Sequence, residues 1–200
     1  MASIVTYFDT FTTIARSPSG ISGTWLNPTN TQIEDNSGSQ YSYTSGASGN
    51  SDFLKCSDLH DSVPTGSTID GLSLRIKRRA YKSPLNFQLQ VTDESVYFEY
   101  LGSNSTNKAD TVTLWDNLTP GANPEFAFSS TYGSSSDKWG LTLTDSIINN
   151  SNFSLYLAIT LTSDSASPNL NNIAIDYVEV TVYYTPPGSG AQRPRIFLIT

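Results

Sequence analysis

The apolar residues of this chain recur at every second position and almost nowhere at a helical period, and this spacing constrains its fold more than any other feature. Residues 173–183 show it most clearly: Ile173, Ile175 and Tyr177 fall on one face, and Val178 and Val180 on the other. Side chains of a β-strand point alternately to its two faces, so a period of two is typical of strands. The sequence therefore predicts a β protein.

Segments rich in β-branched and aromatic residues, bounded by Gly, Pro, Asn or Ser, predict the individual strands. The predicted strands are residues 68–80, 85–91, 96–101, 111–115, 140–143, 153–161 and 173–184. Residues 29–50, 102–110 and 129–137 are polar and predict loops, and Asp145 is a candidate cap for one helical turn. This spacing favours an all-β, antiparallel, jelly-roll-like β-sandwich over a barrel.

The character of the chain changes after Tyr184, which divides it into a β-sandwich domain (1–184) and a C-terminal linker and arm (185–200). Pro186 and Pro187 lack ladder donors and cannot continue a strand. Four apolar residues and two arginines follow, and we expect them to bind a partner: Arg193, Arg195, Ile196, Phe197, Leu198, Ile199. The arm could fold back on its own domain, but docking onto a neighbouring subunit or a capsid is favoured.

Composition excludes several classes of function. A net charge of −7 disfavours binding to nucleic acid or to anionic membrane surfaces, and no run of 18 apolar residues predicts a membrane span. With one histidine, His60, and one cysteine, Cys56, a catalytic triad has few possible members. Asp58, Asp61 and the pair Asp93–Glu94 could ligate calcium, but without the spacing of a known loop. We expect no enzyme, no cofactor and no bound metal.

A basic cluster lies within the predicted strand 68–80. Alternation places Arg75, Lys77 and Arg79 on one face and Arg78 on the other. Such a face cannot enter an apolar core unpaired. Two interpretations stay open: a solvated face paired with the chain's own acids, or a patch that binds an acidic partner.

Aromatic residues suggest a carbohydrate site, because flat rings at strand ends can serve as platforms for sugars. Closure of the core is the competing and favoured interpretation. The candidate platforms are Trp25, Tyr41, Tyr43, Trp115, Tyr132 and Trp139.

Four stretches of the chain, within residues 25–184, resemble a group of small β proteins encoded among phage structural genes and prophages. They read W-L-N-P with Asp35 downstream, I-D-G-L leading to R-R-A, Y-G…D-K-W-G followed by I-x-N-x-x-N-F, and A-I-D-Y-V…V-Y-Y. The resemblance implies that Trp25 and Trp139 are packing anchors and that Asp176 satisfies loop amides. It carries no catalytic residue.

The resemblance implies a structural virion protein of a tailed phage, made in the host cytoplasm and located on the head rather than the tail. The expected partner is the major capsid protein or another virion protein, which a homo-oligomer would cement or decorate. The alternative is a glycan-binding module of a tail tip or fibre.

Overall fold

The computed structural model describes residues 1–16, 21, 23–43, 48–81, 90–115, 117–118, 128–162 and 172–188. A 3-10 turn spans Pro28–Thr31, and one short helix, α1, spans Asp145–Ile148. The strands within these residues are β1 (Ala2–Ile14), β2 (Gly23–Leu26), β3 (Ser39–Tyr43), β4 (Gly49–Asn50), β5 (Phe53–Leu59), β6 (Thr68–Tyr81), β7 (Gln90–Tyr100), β8 (Ser103–Asn104), β9 (Asn117–Leu118), β10 (Phe128–Ser134), β11 (Ser154–Thr162) and β12 (Asn172–Thr185).

The strands form two sheets that share β1. In sheet 1 the order is β10-β6-β12-β1, with β3 beside β12, β2 on β3 and β9 on β6. In sheet 2 the order is β1-β5-β11-β7-β8, with β4 on β11. Residues 2–7 of β1 pair with β12, whereas residues 8–14 pair with β5, so the strand crosses between the sheets at Phe8. All pairs are antiparallel except that of β9 with β6.

The predicted all-β sandwich is confirmed. The inner face of β6 buries Leu72, Leu74 and Ile76, and the ring of Phe98 on β7 lies 4.7 Å from that of Trp139, whose indole N–H donates to the Leu72 carbonyl. Side chains of the two sheets therefore meet in one core. Burial of such apolar surface is the main favourable term in folding.

Several predicted element boundaries are wrong. Residues 111–115 and 140–143 form no strand, although Trp115 is buried, and the predicted loop 129–137 largely belongs to β10. Thr144, not Asp145, caps α1, and its hydroxyl accepts from the Ile147 amide at 3.3 Å. Most of the predicted strand 85–91 lies outside the described residues. In the described part of the chain, no helix is long and apolar enough to cross a bilayer.

The strict alternation predicted for β12 is interrupted at Asp176. Ile175 pairs with Arg78 on the inner face of β6, whereas Tyr177 pairs with Lys77 on its outer face. One extra residue in β12 explains this change, because a β-bulge shifts every later side chain to the opposite face. Ile175 is therefore buried in the core, while Tyr177 lines the outer surface of sheet 1.

A buried ion pair joins the two sheets. Arg78 on β6 and Asp93 on β7 are 1 % and 2 % exposed, and the Arg78 guanidinium donates to the Asp93 carboxylate. The guanidinium also donates to the hydroxyls of Tyr132 at 2.6 Å and Ser130 at 2.8 Å, both on β10. A buried charge needs such partners, because an isolated one would be very costly.

The carboxylate of Asp93 is equally well partnered. It accepts from the Trp115 indole at 2.9 Å, from the Tyr132 hydroxyl at 2.6 Å and from the Asp110 amide at 3.0 Å. The Arg78 guanidinium lies over the Trp115 ring, 4.7 Å from its centroid. Burial raises the pKa of Tyr132, so the phenol keeps the proton that it donates to Asp93.

We expect Arg78→Leu to destabilise the domain by about 3–5 kcal/mol, because it leaves the Asp93 carboxylate buried without its cation. Urea unfolding at pH 7 measures the change. The matched control is Arg75→Leu on the same strand, where the ion pairs are partly solvated and should cost about 1 kcal/mol or less. The double variant Arg78→Leu/Asp93→Leu should recover part of the loss. An Arg78 variant no less stable than the Arg75 variant would contradict the role of this pair.

Candidate binding surface on the outer face of sheet 1

The basic residues of β6 divide between the two faces as predicted. Arg78 is buried between the sheets, whereas Arg75, Lys77 and Arg79 are partly exposed on the outer face of sheet 1. The alternation of a regular strand is sufficient to cause this division.

Acids of the same chain pair with the outer cations. The Arg75 guanidinium lies 2.9 Å from the Glu34 carboxylate and 3.6 Å from that of Glu179 on β12. The Lys77 ammonium lies 3.1 Å from Glu34 and 3.1 Å from Asp176. Glu34 therefore joins two neighbouring cations of β6 and holds the segment after the 3-10 turn against sheet 1.

Asp176, the bulge residue of β12, is fully buried in this cluster. Its only ion pair in the described residues is with Lys77, and neither carboxylate oxygen accepts a hydrogen bond of good geometry there. The expectation that Asp176 satisfies loop amides is wrong, because the bulge turns it towards β6. Burial lowers the pKa of Arg79, and the charge of Asp176 opposes that change.

Among the described residues the cluster is balanced in charge, since Arg75, Lys77 and Arg79 face Glu34, Asp176 and Glu179. Pairing with the chain's own acids is thus the interpretation that the contacts support. Docking of this strand onto an acidic partner stays a prediction. The predicted arm residues Arg193, Arg195, Ile196, Phe197, Leu198 and Ile199 lie outside the described residues.

The six aromatic residues considered as sugar platforms all belong to the core. None is more than 8 % exposed. The indoles of Trp25 and Trp139 donate to backbone carbonyls of Asp52 at 3.1 Å and Leu72 at 2.9 Å, so both are the packing anchors that the resemblance implies. A platform built from any of these six is excluded by their burial, and core closure is the correct interpretation.

An open groove lies beside the charge cluster, where β12 has no neighbouring strand among the described residues. On this side of β12, β1 pairs with residues 179–184 and β3 pairs with residues 174–175. Residues 176–178 of β12 have no described partner strand on this side, because β1 crosses to sheet 2 after Tyr7. The 3-10 turn Pro28–Thr31 contacts both β1 and β12 and covers part of it. The remaining groove, of about 390 Å³, is lined by Tyr7, Gln32, Ile33, Glu34, Tyr177 and Glu179.

The walls of this groove are held in place by contacts outside it. The Gln32 amide donates to Asp9 at 3.0 Å, and the Asp9 carboxylate lies 3.1 Å from Nδ1 of His60. The His60 ring stacks on Tyr7 with centroids 4.5 Å apart. Burial raises the pKa of Tyr177, and the neighbouring Glu179 carboxylate raises it further. Tyr177 therefore lines the groove as a neutral phenol at pH 7.

The residues singled out for chemistry are dispersed. Cys56 is fully buried, and burial raises the pKa of its thiol. Of the possible calcium ligands, Asp93 belongs to the pair between the sheets and Glu94 lies 2.7 Å from Arg16. Within the described ranges, no group of three or more His, Cys, Asp and Glu side chains is placed to hold a metal ion.

Comparisons with known proteins add no family: no protein-family model matches the chain, and no curated protein matches it significantly.

We expect the contribution of Glu34 to stability to disappear in acid. Burial alone would raise the pKa of Glu34, but hydrogen bonds and charges from Arg75 and Lys77 outweigh burial and lower it. A lowered folded-state pKa stabilises the protein above the unfolded-state value of about 4.3, and this contribution is lost as the pH falls through the folded-state pKa.

Glu34→Gln should therefore lower the melting temperature slightly at pH 7 and have no effect near pH 3. Asp58→Asn, at an exposed acid of β5 outside the cluster, is the control, and its backbone φ of 65° is one that asparagine tolerates. A Glu34 effect of the same size at both pH values would show that the carboxylate charge is not responsible.

Proposed function

We propose that this chain is a structural protein of a tailed-phage virion that binds the capsid surface in many copies and cements or decorates it. One support is the resemblance described above, whose residues form the framework of the sandwich. Besides Trp25 and Trp139, Gly133 is such a residue: a Cβ there would lie 2.4 Å from the Leu72 carbonyl oxygen, and its φ is 74°. The likeness thus concerns the scaffold that presents the binding surfaces.

The observation that carries the proposal is the way in which the chain leaves the sandwich. β12 lies between β6 and β1, and its last pair joins Thr185 to Thr68. Residues 186–188 then continue as exposed, irregular chain, with Pro187 near Gly66. The last described residues thus leave the sheet, and we infer that the residues that follow them bind a partner.

The sequence of the following residues suits attachment. The side chains of Ile196, Phe197, Leu198 and Ile199 each gain about 1.5–3 kcal/mol when they leave water for an apolar site. From Pro186 onward, the chain is long enough to reach about 50 Å if extended. Arg193 and Arg195 precede the apolar run and would pair with acids at the entrance of that site.

Attachment through the arm is preferred to attachment through β6. Arg75 and Lys77 already have intramolecular partners, and a capsid acid would have to compete with Glu34, Asp176 and Glu179 for them. Many copies, each holding neighbouring capsid subunits or one another, add modest contacts through a high effective concentration.

We expect deletion of residues 186–200 to leave the melting curve nearly unchanged and to abolish binding to particles that lack the protein. The matched control keeps the full length but replaces Ile196, Phe197, Leu198 and Ile199 with serine, and it should fail to bind in the same way. Differential scanning fluorimetry gives the stability, and quantitative mass spectrometry of washed particles gives the copies bound. For the wild type we expect a number comparable with that of the capsid subunits.

Two results would contradict this proposal. If the truncated domain melts far lower and still binds, the arm belongs to the core of its own domain. If the wild type binds in only a few copies per particle, it is not a cement or decoration protein of the capsid.

A further inference from the structure

We propose that the groove between β1, β12 and residues 32–34 is a binding site for a neutral oligosaccharide. This inference does not depend on capsid attachment, because the groove and the arm involve different residues. The groove volume of about 390 Å³ lies within the range of small-molecule sites. It holds two aromatic rings together with amide and carboxylate groups, which is the combination that sugar recognition requires.

The aromatic part comes from the crossing of β1 between the sheets. Tyr7, the last residue of β1 in sheet 1, is directly opposite Glu179 on β12, and Tyr177 projects from the same face two residues before Glu179. The two rings therefore flank one carboxylate. Sugar rings have faces of C–H groups that pack on aromatic rings, and Ile33, 64 % exposed, extends the apolar wall.

These rings are already ordered. Tyr7 stacks on His60, and the ring of Tyr177 lies 5.7 Å from the guanidinium of Arg75. Binding to a preordered wall loses less side-chain entropy than binding to mobile side chains. A phenol hydroxyl can also donate and accept hydrogen bonds.

The polar part is suited to hydroxyl groups. Glu34 and Glu179 each form an ion pair with Arg75. A carboxylate has about four sites at which it can accept hydrogen bonds, so an ion pair with one cation does not use all of them. Two adjacent hydroxyls of a sugar can each donate a hydrogen bond to one of the two oxygens of the same carboxylate, because the two spacings are similar. Gln32 adds an amide whose orientation Asp9 fixes by accepting from its nitrogen.

The charges of the groove favour a neutral sugar over an acidic one. The carboxylates of Glu34 and Glu179 line it, whereas Arg75 and Lys77 are taken up in ion pairs with them and with Asp176. A sialic acid or uronic acid would bring its negative charge close to these two carboxylates, and the nearby cations Arg75 and Lys77 are already paired with acids of the chain. A neutral sugar avoids this repulsion and uses the same acceptors.

Saturation-transfer NMR and calorimetry on the full chain test the site. The probes are maltohexaose, cellohexaose, chitohexaose and a galactan tetrasaccharide, with 3′-sialyllactose as the acidic comparator. At least one neutral probe should bind, and Tyr177→Ala or Tyr7→Ala should weaken its binding by about tenfold or more. The matched controls are Tyr97→Ala and Tyr156→Ala, which remove the stacked tyrosine pair on the outer face of sheet 2 and should leave binding unchanged.

Melting curves of all four variants establish that each is folded, and Tyr177→Phe and Glu179→Gln provide milder changes if an alanine variant unfolds. The inference is overturned if no neutral probe binds, if 3′-sialyllactose binds more tightly than the neutral probes, or if the groove and control variants lose binding equally. It is also overturned if the wild type forms a concentration-dependent dimer in analytical ultracentrifugation and Tyr177→Ala makes it dissociate, because the groove then holds a second copy of the chain.

Discussion

The ion pair between Arg78 and Asp93 is the interaction on which the arrangement of the two sheets depends. Each residue brings a charge into the core, and each is tolerated there only because the other sheet supplies its partner. Packed apolar side chains also oppose sliding of the sheets, but they are less directional than the hydrogen bonds to Tyr132, Ser130 and Trp115, which are satisfied in one relative position. The pair thus specifies the register of the sandwich as well as its closure.

The sequence predicted three of the long strands because they alternate over many residues, but it did not predict β1, which is 13 residues long. β6, β11 and β12 were recognised in this way, and so was the division of Arg78 from its basic neighbours. β10 was missed because its Ser, Thr and Gly residues make it read as a loop, and its strand character comes from pairing with β6. Local composition does not reveal a strand whose hydrogen-bonding partner lies elsewhere in the chain.

The groove could not be predicted at all. It needs the crossing of β1 after Tyr7, the bulge at Asp176 and the segment after the 3-10 turn that carries Glu34, and none of these has a signature in the sequence. The bulge is decisive, since one extra residue puts Tyr177 outside and Ile175 inside. The aromatic residues that looked most suited to a ligand are in the core. Of the two tyrosines that line the groove, Tyr177 lay within a predicted strand and Tyr7 lay outside every predicted strand.

The pairing of Ala2 with Tyr184 determines how the domain would respond to mechanical force. A pull between these two neighbouring ends would separate β1 from β12 one hydrogen bond at a time, as a zipper opens, at low force. A pull on Thr185 against the body of the sandwich instead loads the ladders on both sides of β12 along their length. Many bonds then share the load at once, so β12 resists a pull along its own axis far better than it resists unzipping from β1.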